Sequence, residues 1–70
     1  RMALVDVMIG RRSYQLACGR GEEAKVKALA DQVNERIAAL GDLPEETGES
    51  MILAMVALTM QDAINEAERT

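Results

Sequence analysis

Residues 51–58 read Met-Ile-Leu-Ala-Met-Val-Ala-Leu, eight apolar side chains in succession inside a longer helical pattern that ends near Arg69. A helix with one apolar stripe can pack on a core while its opposite face is exposed to solvent. An unbroken run of apolar residues instead places apolar side chains around the whole circumference. The pattern therefore predicts a long helix that is covered on more than one side. We expect its first half to pack both on its own domain and on a partner chain.

The same helix carries a seam of apolar residues that are alternately four and three positions apart. This spacing is typical of a helix that packs along another helix in a coiled coil. The alternative is a core helix in a small monomer, for which little other chain is available as cover. We predict an oligomer interface made of Ile52, Leu53, Val56, Ala57, Met60, Ile64 and Ala67.

The length and composition of the chain also favour oligomerisation. The chain has 70 residues, one cysteine and no histidine, so it cannot close an internal disulfide and lacks the ligand set of a structural zinc site. Domains of this size are marginal without such supports or partner subunits. We therefore expect a homodimer.

The charge of the chain is unevenly distributed. Residues 1–20 carry a net +3 and residues 21–70 carry −7, which makes −4 for the whole chain. This acidic balance argues against nucleic acid as the main partner, because such binding rests on neutralising phosphates. The apolar run is far shorter than a membrane span requires. We expect a cytoplasmic protein with no membrane partner.

Local patterns predict an α+β fold of the order ββαα. Two alternating segments joined by a Gly-containing turn indicate a β-hairpin at 3–18 with Leu16 on its buried face. A helix at 22–40 follows, with an apolar stripe that includes Leu29, and a loop at 41–48 leads into the long helix.

The ends of the two helices have their own signals. Gly41 is expected to cap the first helix, and Thr47 is expected to be the N-cap of the second, although Pro44 also suits its first turn. We treat 1–48 as a small head and 49–70 as the start of a helix that dimerises and begins a coiled coil.

The sequence offers little for catalysis. Without histidine, acid-base chemistry would fall to carboxylates, Tyr14 or Cys18. Cys18 has no histidine to activate it, and no glycine-rich phosphate loop is present. We predict a non-enzymatic protein without a metal or cofactor.

Two adjacent arginines, Arg11 and Arg12, fall at the tip of the predicted hairpin. One interpretation is that they keep the turn soluble. The other is that they form a contact surface for an acidic partner, together with Arg20 in the next loop and the residues that lead into the long helix.

Several segments, in this order and spacing, resemble the ZapA family of bacterial cell-division proteins along essentially the whole chain. They are Val5-Asp6-Val7-Met8-Ile9, Arg12-Ser13-Tyr14, Cys18, Asp31-Gln32-Val33-Asn34-Glu35-Arg36-Ile37 and Ala57-Leu58. The family usually has glycine where this chain has Arg11, whereas Gly10 stands one place earlier here.

The resemblance implies a protein of the mid-cell division site that binds FtsZ, the tubulin-like GTPase of the division ring. Family members cross-link its protofilaments and so stabilise the ring. Their heads dimerise, and their C-terminal coiled coils join two dimers into a tetramer. We expect the coiled coil of the full-length protein to extend beyond Thr70.

By position, the resemblance makes Arg12 a candidate FtsZ contact. The further candidates are Arg11, Arg20, Glu49, Ser50 and Met55. The alternative function is a dimeric strand-helix-helix DNA-binding regulator, in which paired strands carry arginines into the major groove. The acidic balance and the presence of two strands rather than one argue against it.

Overall fold

A computed structural model describes residues 1–69 of the chain. The elements are β1 (Met2–Ile9), β2 (Arg12–Gly19), α1 (Glu23–Ala39) and α2 (Glu49–Arg69). The predicted α+β class and ββαα order are confirmed, and the hairpin and α1 begin and end within one residue of the predicted ranges 3–18 and 22–40. Thr70, which the predicted long helix includes, lies outside the described residues.

The hairpin turn has two residues, because Ile9 pairs with Arg12 in the antiparallel register. Gly10 has a φ of 64°, and no residue other than glycine has a positive φ in the described part of the chain. A positive φ at the first central residue alone is the pattern of a type II′ turn, which suits the twist of a hairpin. The turn therefore needs glycine at position 10 and tolerates arginine at position 11.

The core lies between one face of the hairpin and α1. Its buried residues are Val5, Val7, Cys18 and Ala30. Two leucines that were predicted to be buried are substantially exposed, Leu16 at 38% and Leu29 at 49%. The reason is that α1 packs mainly on β1, which leaves the middle of β2 uncovered, and that Ala30 rather than Leu29 belongs to the core cluster.

The loop between the helices confirms one predicted cap and contradicts another. Gly41 has a φ of 84° and donates its N–H to the Ala38 carbonyl at 3.1 Å, so it closes α1 as predicted. The prediction that Thr47 caps α2 is wrong. Thr47 closes a loop turn on the Pro44 carbonyl at 2.9 Å, and the first helical bond of α2 runs from Ile52 N–H to the Gly48 carbonyl.

Within a single copy of the protein, only one side of α2 is covered by other described residues. The helix packs on α1, and Val56 is its one buried residue, at 2% exposure. Met51 and Leu58 are 58% and 72% exposed, and every residue from 61 to 69 is exposed. The second covering surface that the apolar run predicts is not supplied by residues 1–69.

The dimensions of the chain reflect this incomplete cover. The molecule measures 38 × 37 × 15 Å, and its radius of gyration is 14.0 Å, whereas a compact chain of this length would have about 11 Å. Its accessible surface is 5579 Å². A compact monomer of this mass would expose about 4,300 Å².

Candidate functional site

The hairpin tip, residues 10–12, carries both predicted arginines on the surface. The Arg12 side chain is 73% exposed, and its Nε lies 3.7 Å from Glu49 Oε2. Arg11 is exposed and has no carboxylate partner among residues 1–69. Because the Arg12 side chain is largely exposed, its ion pair with the half-buried Glu49 contributes little stability, and the positive charge of the tip is available to a partner.

Glu49, the first residue of α2, connects this helix to the hairpin. Its Oε2 accepts a hydrogen bond from the Tyr14 hydroxyl and is the atom that faces Arg12. A carboxylate is also favourable at a helix N-terminus. The hydrogen bond to Glu49 raises the pKa of Tyr14, burial and the negative charge of Glu49 add to this, and the charge of Arg12 opposes it.

A second residue, Asn34 of α1, holds the turn from the other side. Its Nδ2 donates to the Met8 carbonyl, and its Oδ1 accepts from the Gly10 N–H, each at 2.8 Å. Sequence reasoning did not identify this role. The available signal was its position four residues after Ala30, on the face that meets the sheet, where a polar side chain requires hydrogen-bond partners.

The hairpin tip, the end of α1 and the start of α2 enclose a groove of about 630 Å³. Arg11, Arg12 and Glu49 line it, so the structure brings these three predicted site residues together. The groove also has an apolar lining, made of Ile9, Ile37, Leu43, Pro44, Ile52 and Leu53. The combination suits a protein surface that presents both charge and apolar contact.

The other predicted contact residues lie apart from this groove. Arg20 follows β2, and its N–H donates to the Arg1 carbonyl at 3.2 Å. Since β2 separates Arg20 from the tip, the two are about 26 Å apart at the usual rise of a strand. Ser50 is exposed and Met55 half-buried in the first turns of α2, and neither lines the groove.

The residues predicted for the oligomer interface differ in exposure within one chain. Val56 is buried in the chain itself, so it is part of the intramolecular packing of α2. The half-buried members are Ile52, Leu53 and Met60, and the exposed members are Ala57, Ile64 and Ala67.

The lone thiol is part of the core. Cys18 is 8% exposed, and burial raises the pKa of its thiol, with a further contribution from the negative charges of Glu23 and Glu22. A raised pKa keeps the thiol protonated and disfavours its use as a nucleophile.

Residues 1–69 contain no group of three or more His, Cys, Asp or Glu placed to hold a metal ion. Neither helix combines the length and the apolar character that crossing a membrane requires.

Comparison with known proteins places the chain in a family. The profile of the family described as "Cell division protein ZapA" matches residues 5–70. An uncharacterized protein of Rickettsia prowazekii (strain Madrid E) is 35% identical over 63 residues, which make up 90% of this chain and 60% of that protein. No solved structure gives a significant match. The chain therefore belongs to the ZapA family of cell-division proteins.

Proposed function

We propose that this protein is a non-enzymatic component of the division ring that binds FtsZ and cross-links its protofilaments. In this proposal the head, residues 1–48, carries the FtsZ contact, and the helix from residue 49 joins copies of the protein. It acts in the cytoplasm at the mid-cell division site. Membership of the ZapA family supports the role in division and the choice of partner.

The observation that carries the cross-linking role is the apolar surface that one chain leaves uncovered along α2. Met51, Leu58 and Ile64 are each about half exposed or more. The chain exposes about 1,300 Å² more than a compact monomer would, and a standard interface buries about 800 Å² on each partner. A second copy on α2 would cover this surface.

A symmetric dimer would also supply what cross-linking requires. Each copy would present one hairpin tip, so two FtsZ contacts would be held at a fixed separation. Linked contacts of this kind raise the apparent affinity for a polymer without any new interaction. In the full-length protein we propose that two such dimers join into a tetramer through the coiled coil.

The charge of the hairpin tip supports its choice as the FtsZ contact. The tip is basic in a chain whose net charge is −4, and Arg11 has no carboxylate partner in the described part of the chain. Complementary charge increases the rate of association and fixes the orientation of a complex. Arg20 is about one strand length away, so we leave it out of the proposed contact.

Co-sedimentation with GTP-assembled FtsZ tests the proposal. We expect the wild-type protein to pellet with bundled filaments, and Arg11→Glu and Arg12→Glu to remain in the supernatant as soluble dimers. Arg20→Glu is the matched control, because it makes the same change of charge at the other end of the hairpin and should pellet like wild type.

Other outcomes would change the proposal in distinct ways. Equal pelleting of all four proteins would keep FtsZ as the partner but move the contact away from the hairpin tip. Failure of the wild type to pellet would reject FtsZ as the partner. Salt-sensitive binding to duplex DNA would then be the next measurement.

A further inference from the structure

We propose that Asn34 is a positioning residue for the FtsZ contact, acting through the turn that bears Arg11 and Arg12. This inference rests on the proposed function. It derives from the paired hydrogen bonds that the Asn34 amide makes with the Met8 carbonyl and the Gly10 N–H, both 2.8 Å long. These contacts join α1 to the hairpin tip across 26 and 24 residues of sequence.

Without Asn34, the Met8 carbonyl and the Gly10 N–H would have no protein partner among residues 1–69. In a two-residue hairpin, the pair that flanks the turn exchanges both of its hydrogen bonds, so the neighbouring Met8 carbonyl points away from β2. Within the described residues the sheet has two strands, so β1 has an open edge there. The Asn34 amide, with a donor and an acceptor side by side, takes the place that a peptide group of a third strand would occupy.

The hydrogen bonds of Asn34 matter for binding because Gly10 directly precedes the arginine pair. Glycine has the greatest conformational freedom of any residue, and a free turn would have to become ordered when the partner binds. Ordering one backbone residue lowers an association constant about tenfold. Asn34 removes this cost in advance by fixing Gly10 in the unbound protein.

The same hydrogen bonds keep the turn next to α2. A Cβ placed on Gly10 would lie 3.7 Å from Glu49 Oε1 and 3.8 Å from Ile37 Cδ1, so the turn backbone is close to both helices. Arg12 reaches Glu49 from this position. The arginine pair therefore has a defined place relative to the helix that joins the copies, as cross-linking at a fixed separation requires.

The test is a double-mutant cycle on FtsZ affinity. We expect Asn34→Ala to weaken binding about tenfold, which corresponds to about 1.4 kcal/mol, while the protein remains a dimer. In an Arg11→Ala, Arg12→Ala background the same change should alter the remaining affinity less than twofold, because Asn34 acts through the arginines. A role in general stability would give the same loss in both backgrounds.

Two further variants make the test specific. Asn34→Gln keeps the amide but extends it by one methylene, so it should bind as weakly as Asn34→Ala, and it carries the test if the alanine variant does not fold. Asn65→Ala is the matched control, because the Asn65 side chain is exposed on α2 and bonds to Gln61. In Asn34→Ala, the Gly10 amide should also exchange its hydrogen faster.

The possible results distinguish the positioning role of Asn34 from FtsZ binding itself. Wild-type affinity in Asn34→Ala or Asn34→Gln would overturn the positioning role, and so would an equal loss in both arginine backgrounds. Either result would leave the FtsZ-binding proposal intact, because the wild type still binds. A wild-type protein that does not bind FtsZ overturns both proposals together.

Discussion

The Tyr14 hydroxyl donates a hydrogen bond to Glu49 Oε2 and thereby joins the second strand to the first residue of α2. The same oxygen lies 3.7 Å from Arg12 Nε. Among residues 1–69, α2 packs on α1 rather than on the sheet, so these side chains form a direct connection between the second strand, Arg12 and the start of α2. The orientation of the arginines relative to α2 depends on this connection.

The ionisation of Tyr14 should report the contact with Glu49. Tyr14 is the single tyrosine of a chain without tryptophan, so an ultraviolet absorbance titration follows this residue alone. We expect a midpoint above the usual pKa of about 10, because the hydrogen bond to Glu49, burial and the Glu49 charge all raise the pKa. Glu49→Ala should lower the midpoint toward that value.

The raised pKa also sets the sign of a stability change. Between the unfolded and folded pKa values of Tyr14, the folded chain binds more protons, so the free energy of unfolding falls as the pH rises. The stabilisation that Tyr14 contributes is complete below its unfolded pKa of about 10. It is lost as the pH rises through the folded pKa. Tyr14→Phe should lack this component in urea unfolding. Glu46→Ala, in the loop, is the control and should leave the midpoint of the Tyr14 absorbance titration unchanged. The same unchanged titration midpoint in Glu49→Ala would contradict the assigned contact.

Truncation of Val56 should weaken the packing within each chain. Val56 is 2% exposed, so Val56→Ala removes buried methyl groups and leaves a cavity, at a cost of about 1.5–3 kcal/mol in the free energy of unfolding. Leu58→Ala, at a site that is 72% exposed in one chain, should act mainly on dimer formation. Urea unfolding at several protein concentrations separates the two effects, and identical behaviour of both variants would contradict this division.

A charge in the predicted seam should separate the copies. Ile64 is 49% exposed in one chain, so Ile64→Glu is compatible with the folded monomer but places a carboxylate in the proposed interface. We expect analytical ultracentrifugation to show monomers, and FtsZ bundling to be lost. Gln61→Glu adds the same charge outside the seam and should remain a dimer. Normal bundling by a proven Ile64→Glu monomer would disprove the cross-linking mechanism.

The candidate site was only partly accessible to sequence reasoning. The arginine pair could be located because a turn signal and two charges are local features. Its neighbours were less accessible. Glu49 was named only through the family resemblance, and Asn34 was not named, because they contact Tyr14 and Gly10 from 35 and 24 residues away, and no local pattern gives such a distance. Arg20 was grouped with the pair, yet the length of β2 keeps it at the other end of the hairpin.

The sequence by itself determined the order and type of the elements, because alternation, helical spacing and glycines such as Gly10 and Gly41 act over a few residues. Tertiary structure alone decided which apolar side chains are covered. Since α1 lies over β1, Leu16 stays exposed, and since α2 turns Val56 toward its own chain, Leu58 faces outward. The physical reason is that a periodic pattern defines a face, whereas burial depends on which distant surface packs against it.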